Sequence, residues 1–479
     1  MNTLQNAFSP EDFRKKGHAL IDLLANHLAE GTAKNRPTIP WQEPEAALVY
    51  WQNDFEQPTT DDPLSILTEI AAKSTQLHNP RFMGHQVAVT LPLANLASLV
   101  SNVLNNGMAV YEMGMVSNPL ERIVTDWLCA KIGYDKNASG LLTSGGTLAS
   151  LTALLAARAA KATDDIWDKG NQKRYAVMVS EQAHYCIDRA VRIMGWGTEG
   201  VIKIPVNAAF QMDTPLLEAA FEAAQAKGIE VIAVVGSACS TSTGSYDNLM
   251  DIADFCEKHK LWFHADGAHG GVTVLSEKYK HLTQGIERAD SVIIDFHKMM
   301  MIPALATGVF FKRQDDSYHT FQQKAQYLFN ENATHDWYNS GKRTFECTKY
   351  MMSIKIYTVL RAYGEQIFRD NVDYLYDLAQ QFADMIRANP LFELAVAPES
   401  NIVCFRYIND VLPAEINAFT THLRTAMVQD GRFYIVQTTL NQDVYLRVSL
   451  MNPLTTAADL QDLLTVLVER AEVLTDIVH

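Results

Sequence analysis

The chain has 479 residues and a mass of 53.5 kDa, too long for one compact core, so two or three domains are expected. Its 48% hydrophobic and 20% charged residues are ordinary for a soluble protein, and no apolar run reaches the roughly 18 residues of a membrane span. The 40 basic and 55 acidic residues give a net charge of −15 without a basic patch, which argues against a nucleic-acid partner.

Ser9-Pro10-Glu11-Asp12 reads as a helix start, with a capping hydroxyl, an early proline and acids at the positive end of the dipole. The run FRKKGHALIDLLANHLAE that follows has apolar residues at helical spacing. Nothing in this terminus resembles an apolar signal core. Residues 31–62 are loose and punctuated by proline. Such an arm buries little against itself, so it is expected to pack on another surface, a partner subunit first of all. Residues 92–133 are helical in pattern, interrupted by NNGMAVYEMGMVSNP (105–119).

From about 139 to 311, short β-rich runs alternate with helical ones. Strands are read at GLLTS, YAVMVS, GVIKIPV, IEVIAVVGS, LWFHAD and SVIIDF, with helices such as LASLTALLAARAAKA between them. This alternation implies an α/β fold with a mostly parallel, doubly wound central sheet and helices on both faces. The polar, aromatic-studded segment 312–345 is too long for an ordinary connector. Two helical stretches follow, and from residue 390 a strand, a helix, two strands and a helix suggest a small α+β C-terminal domain. The expected division is an arm over 1–80, a large domain over 81–355 and a small one over 356–479. The six cysteines form no CxxC pair and mostly sit in apolar runs, which suits a reducing, cytoplasmic setting.

Four places carry chemistry. In TSGGTLASLTALLAAR (143–158) a strand turns into a helix through Gly145 and Gly146. Free N–H groups there, aided by the helix dipole, suit a phosphate; a tight turn capped by Thr147 is the plainer reading. His184, in SEQAHYCIDRA, is either a satisfied histidine at the sheet edge or a ring that stacks on a ligand. HADGAHGG (264–271) offers His264, Asp266 and His269 to a metal. His264 and Asp266 can share a strand face, but no third ligand is evident, and no metal is expected.

Lys298 lies in the apolar stretch SVIIDFHKMMMIPALATGVFF (291–311), read as a buried strand ending in ionisable residues. Apolar surroundings are expected to lower its pKa and make it a usable nucleophile. An aspartate at one strand end and a lysine at the next suit pyridoxal phosphate. The lysine forms the Schiff base and the aspartate holds a proton on the pyridine nitrogen.

SEQAH, HADGAHGG and FHKMM resemble the group II pyridoxal-phosphate-dependent amino-acid decarboxylases, which include the glutamate, aromatic-amino-acid and 2,4-diaminobutyrate enzymes. NPRFMGH (79–85), MAVYEMGMVSNPLE (108–121) and YLRVSLMNP (445–453) are similar too, so the resemblance spans nearly the whole chain. It implies an aspartate-aminotransferase-like fold (fold type I) and a homodimer with the active site at the subunit interface.

The resemblance also implies roles. Lys298 would carry the cofactor, with His297, Gly145, Gly146 and Thr147 at its phosphate. Asp266 would pair with the ring nitrogen, Ala268 and His184 would lie against the ring, and Thr241 would line the pocket. Tyr327, in AQYLFN, would protonate the substrate carbon after CO₂ leaves. Arg447 would grip the substrate α-carboxylate, and His85 stands where glutamate decarboxylases tend to have a side-chain-contacting Gln. The expected reaction is decarboxylation of a diamino or acidic L-amino acid (2,4-diaminobutyrate or glutamate type). The alternatives are an aromatic-amino-acid decarboxylase and an aminotransferase or lyase on the same fold. Two residues depart from the family pattern: Asp295, where relatives more often have Asn, and Gly267, where many have Ala.

Overall fold

The computed structural model describes residue 4 and residues 7–58, 62–321, 336–409 and 411–478. The chain divides into two units. One holds residues 86–383 and 396–403, and the other holds residues up to 85, 384–395 and 404 onward.

The larger unit is built on seven strands: β1 (Ser139–Thr143), β2 (Arg174–Ser180), β3 (Val201–Ile204), β4 (Ile229–Ser237), β5 (Trp262–Asp266), β6 (Ser291–Asp295) and β7 (Thr307–Phe311). Their order across the sheet is β1-β7-β6-β5-β4-β2-β3. The run from β3 to β6 is parallel, whereas β7 lies antiparallel to both β1 and β6. Every residue of β5 and β6 is buried, as expected of strands covered on both faces. The helix Gly146–Lys161 supplies Ala149, Ala153 and Ala157 to an apolar cluster with Val177, Ile232, Trp262 and Val309. Its small residues let helix and sheet approach closely.

The apolar stretch 291–311 is not one strand but two. The chain leaves β6 at Phe296, turns back through 297–306 and returns as β7. Backbone bonds from Phe296 N to Ala306 O (3.0 Å) and from Ile302 N to Phe296 O (3.1 Å) close the turn. Two local features enforce it: Met301 takes a left-handed φ of 57°, and Pro303 has no N–H for a ladder. Lys298 therefore sits in a pinned turn at the sheet edge.

The smaller unit carries four further strands, β8 (Phe392–Leu394), β9 (Ile402–Tyr407), β10 (Val436–Leu440) and β11 (Asp443–Ser449), in the order β10-β11-β9-β8. The N-terminal helix spans Pro10–Thr32, and Ser9 Oγ accepts from Asp12 N at 3.2 Å as the sequence suggests. Within the stretch read as loose, Pro44–Phe55 is a helix. Pro44 fills its first turn, where a missing N–H costs nothing. The arm is also tied to its own unit: Thr38 N donates to Gly431 O (2.8 Å), and Thr38 Oγ1 to Arg432 O (2.8 Å). Among the described residues, no helix is long and apolar enough to cross a membrane.

Candidate active site

At the carboxyl end of β1 the chain passes through Ser144 and Gly145 into the helix Gly146–Lys161. Gly145 adopts φ +146°, a conformation that a side chain would resist. No side chain caps this helix: it begins at Gly146, and Thr147 stands inside its first turn rather than at the cap. Its first N–H groups and its positive pole are thus directed at the sheet edge, which suits an anion.

A cavity of about 470 Å³ opens there, and all nine residues assigned to the cofactor from the sequence line it. Gly145, Gly146 and Thr147 come from the helix start, and Thr241 from the loop after β4. Asp266 and Ala268 come from the end of β5, His297 and Lys298 from the turn after β6, and His184 from the segment after β2. The donor set fits a phosphorylated pyridoxal: an uncapped helix start, a buried carboxylate and an amine share one cavity of ligand size.

The lysine does not behave as its apolar surroundings suggest. Burial alone would lower its pKa, but Lys298 Nζ lies 2.9 Å from Asp295 Oδ2, with Asp266 adding a second negative charge. The net shift is upward, because the attraction of the ammonium to two carboxylates outweighs its desolvation. Asp295 shows the reciprocal effect. Burial pushes its carboxyl up, and Lys298 and His297 pull it further down. This residue stood apart in the sequence only as a departure from the family pattern.

The other residues are held by local bonds. Asp266 is 8% exposed, and its Oδ1 accepts from Ala268 N at 3.2 Å. His184 Nδ1 accepts from Cys186 N at 3.3 Å. Burial lowers the His184 pKa more than Asp266 raises it, so the ring is neutral at pH 7. His297 Nδ1 lies 2.9 Å from Ala306 O, which fixes its ring within the turn. Gly267 has a packing reason: a Cβ there would come within 2.9 Å of Ile293 O and 3.0 Å of Gly271 Cα.

The three groups that a metal would need are engaged separately. His264 Nδ1 is 2.8 Å from Ser291 Oγ, and His269 Nε2 is 2.7 Å from Asn401 Oδ1. Burial takes the His264 ring, 0% exposed, from 6.5 down to about 4. The unfolded ring gains its proton below 6.5 while the folded one stays neutral to about 4. Stability therefore falls as pH drops through that window, by about 3 kcal/mol in all. His264→Asn should remove this part of the acid sensitivity. Urea midpoints of both proteins at pH 7 and 4.5 would check it; an equal drop in both would contradict it.

The two substrate-assigned residues belong to the smaller unit. Arg447, on β11, is 7% exposed, and burial lowers its pKa. The His85 ring lies beside Tyr434, with centroids 5.8 Å apart. Its pKa is lowered by desolvation and then by the charges of Arg447 and Arg424. Arg424 went unremarked in the sequence because a lone arginine in a helix, Ile416–Asp430, carries no local signal. Tyr327 lies outside the described residues.

The model of the pyridoxal-dependent decarboxylase conserved domain matches residues 53–408. Over 422 residues the chain is 28% identical to an L-2,4-diaminobutyrate decarboxylase from Acinetobacter baumannii, covering 84% of this chain and 82% of that protein. It is 26% identical over 463 residues to an aromatic-L-amino-acid decarboxylase from Bacillus atrophaeus, covering 94% of each. The crystal structure of mouse CSAD in apo form shares the fold, with a TM-score of 0.89 at 23% identity over 97% of this chain and 99% of that one.

Proposed function

We propose that this chain, which belongs to the pyridoxal-dependent decarboxylase family, removes the α-carboxylate of an acidic L-amino acid as CO₂ and releases the amine. Family membership makes it a carboxy-lyase that uses pyridoxal 5'-phosphate. The observation that carries the assignment of residues is one cavity holding Lys298, Asp266 and an uncapped helix start.

The bound cofactor supplies an electron sink for the charge left behind when CO₂ departs. In our reading the protein does the rest. Lys298 anchors the cofactor, and Asp266 holds a proton at the ring nitrogen, so that the sink stays electron-poor. Neutral His184 and Ala268 cover the ring faces without adding charge. Gly145, Gly146 and Thr147 hold the phosphate through backbone N–H groups and the helix pole, with His297 at the same end, and Thr241 lines the pocket. Arg447 fixes the α-carboxylate, so that the bond to be broken is oriented before reaction. Tyr327 returns a proton to the substrate carbon.

For the substrate side chain, the support comes from charge. Arg447 and Arg424 both act on His85, and with Arg447 taken by the α-carboxylate the charge left for the substrate side chain is that of Arg424. A side-chain carboxylate is attracted there, whereas the second ammonium of a diamino acid is repelled. The resemblance to an L-2,4-diaminobutyrate decarboxylase keeps the diamino reading second, and an aromatic substrate is third. A homodimer with its site at the subunit interface is part of the proposal. The helix Pro92–Leu104 exposes Leu96, Leu99, Val100, Val103 and Leu104, and Tyr111, Met113, Met115 and Val116 are exposed in the segment that follows it. A stretch of this kind on a water-soluble protein calls for a covering surface, and a second copy satisfies it.

One experiment tests both parts. The purified protein, sized by light scattering, is assayed for CO₂ and amine with L-glutamate, L-aspartate, L-2,4-diaminobutyrate and L-phenylalanine. We expect activity in a species of twice 53.5 kDa, highest for an acidic amino acid. Faster turnover of the diamino or aromatic substrate would overturn the substrate ranking, and a fully active monomer would overturn the dimer.

A further inference from the structure

We propose that Asp295 is a positioning residue: it holds Lys298 as an ammonium in the cofactor-free enzyme and so gates covalent attachment of the cofactor. The inference rests on the reading of Lys298 as the attachment lysine.

The carboxylate is fixed on every side. Asp295 ends β6, and its N donates to Ala268 O at 3.1 Å. Thr307 Oγ1 donates to Oδ1 at 2.5 Å, and Lys298 Nζ lies 2.9 Å from Oδ2. Asp295 is 3% exposed and the Lys298 side chain 21%, so the carboxylate is shielded from water while the amine faces the cavity. His297 Nε2 approaches the same oxygen at 3.7 Å. Among the described residues, the remaining titratable groups that face the lysine are Asp266 from β5, Cys239 after β4, and His184 and Cys186 from the segment after β2. Asp266 is the only other carboxylate in this set, and the proposed function gives it a separate task at the ring nitrogen.

A second buried lysine supplies an internal comparison. Lys355 is 1% exposed, donates to Pro303 O, and is lowered to about 8 by burial alone. Lys298 shifts the other way, with the carboxylates of Asp295 and Asp266 both raising it, whereas Lys349, buried against the carboxylate of Glu121, is still lowered. An Asn at 295 would keep the shape and an oxygen for Thr307 while removing the charge.

That charge matters because attachment needs the free amine. The ammonium gives one proton to solvent, the nitrogen lone pair attacks the aldehyde carbon, a C=N bond forms, and the carbonyl oxygen leaves as water. Below the lysine pKa the rate follows the neutral fraction, so each pKa unit is about tenfold in rate.

The test follows attachment by stopped-flow absorbance on the full, cofactor-stripped chain between pH 7 and 10. Pyridoxal phosphate and phosphate-free pyridoxal serve as separate probes. Asp295→Asn should raise the attachment rate at pH 7 by about tenfold or more for both aldehydes, with the pH profile moved to lower pH. An unchanged rate and profile would overturn the proposal. A gain with pyridoxal phosphate alone would also overturn it, because the carboxylate would then act on the phosphate. If the variant fails to fold, the wild-type profile decides: a rate still rising at pH 10 supports the gate, and a plateau below about pH 9 contradicts it. Retention of the signal in Lys298→Ala would instead refute the reading of Lys298 itself.

Discussion

Lys298→Ala should lose the absorbance band of lysine-bound pyridoxal phosphate and reduce amine formation by roughly 10³-fold or more. The turn after β6 places this amine, and no other lysine among the described residues, in the cavity with Asp266 and the helix start. The substitution also strands Asp295, a carboxylate 3% exposed, without its cation. Breaking a buried pair from one side costs about 3–5 kcal/mol, so a fall in stability accompanies the loss of chemistry. Lys298→Arg separates the two effects. A guanidinium keeps the charge opposite Asp295 but cannot supply a free amine, so the thermal midpoint should recover while cofactor attachment does not. Amine formation within tenfold of wild type in either variant would remove Lys298 from its role.

Tyr327→Phe should lower amine formation by about 10²–10⁴-fold while leaving cofactor absorbance intact. Loss of CO₂ leaves a carbon that must gain a proton, and the proposal assigns that proton to the phenol. Phenylalanine preserves the ring and removes only the acidic hydrogen, so substrate affinity should change little. This outcome also bears on the rival chemistries, since an aminotransferase does not need a donor for a decarboxylated carbon. Unchanged amine formation would return the search to His184, the neutral ring already in the cavity.

Much of the site was legible because its residues mark strand ends. β5 and β6 are mostly apolar runs whose carboxyl ends are ionisable: Asp266 closes β5, Asp295 closes β6, and Lys298 follows in the next turn. SGGT is equally local: glycines between a strand and an alanine-rich helix announce a turn and an exposed helix pole. The pKa of Lys298 was not legible, because burial and pairing have opposite signs and only distance decides between them. Asp295 was visible as an unusual residue, but its bond to Nζ depends on how the 297–306 turn folds back. β7 was hidden for a related reason. An apolar run of 21 residues reads as one element until Pro303 and the left-handed Met301 are given their geometric weight. The helix Pro44–Phe55 was masked by prolines that serve as its start rather than as breaks. Arg424 joins His85 and Arg447 only through the fold of the smaller unit.

Borohydride reduction of the pyridoxal-phosphate-loaded protein, followed by peptide mass mapping, tests the central claim most directly. The result we expect is a single pyridoxyl adduct on the peptide that contains Lys298. An adduct on another buried lysine, Lys349 or Lys355, or no adduct in an active preparation, would contradict the account.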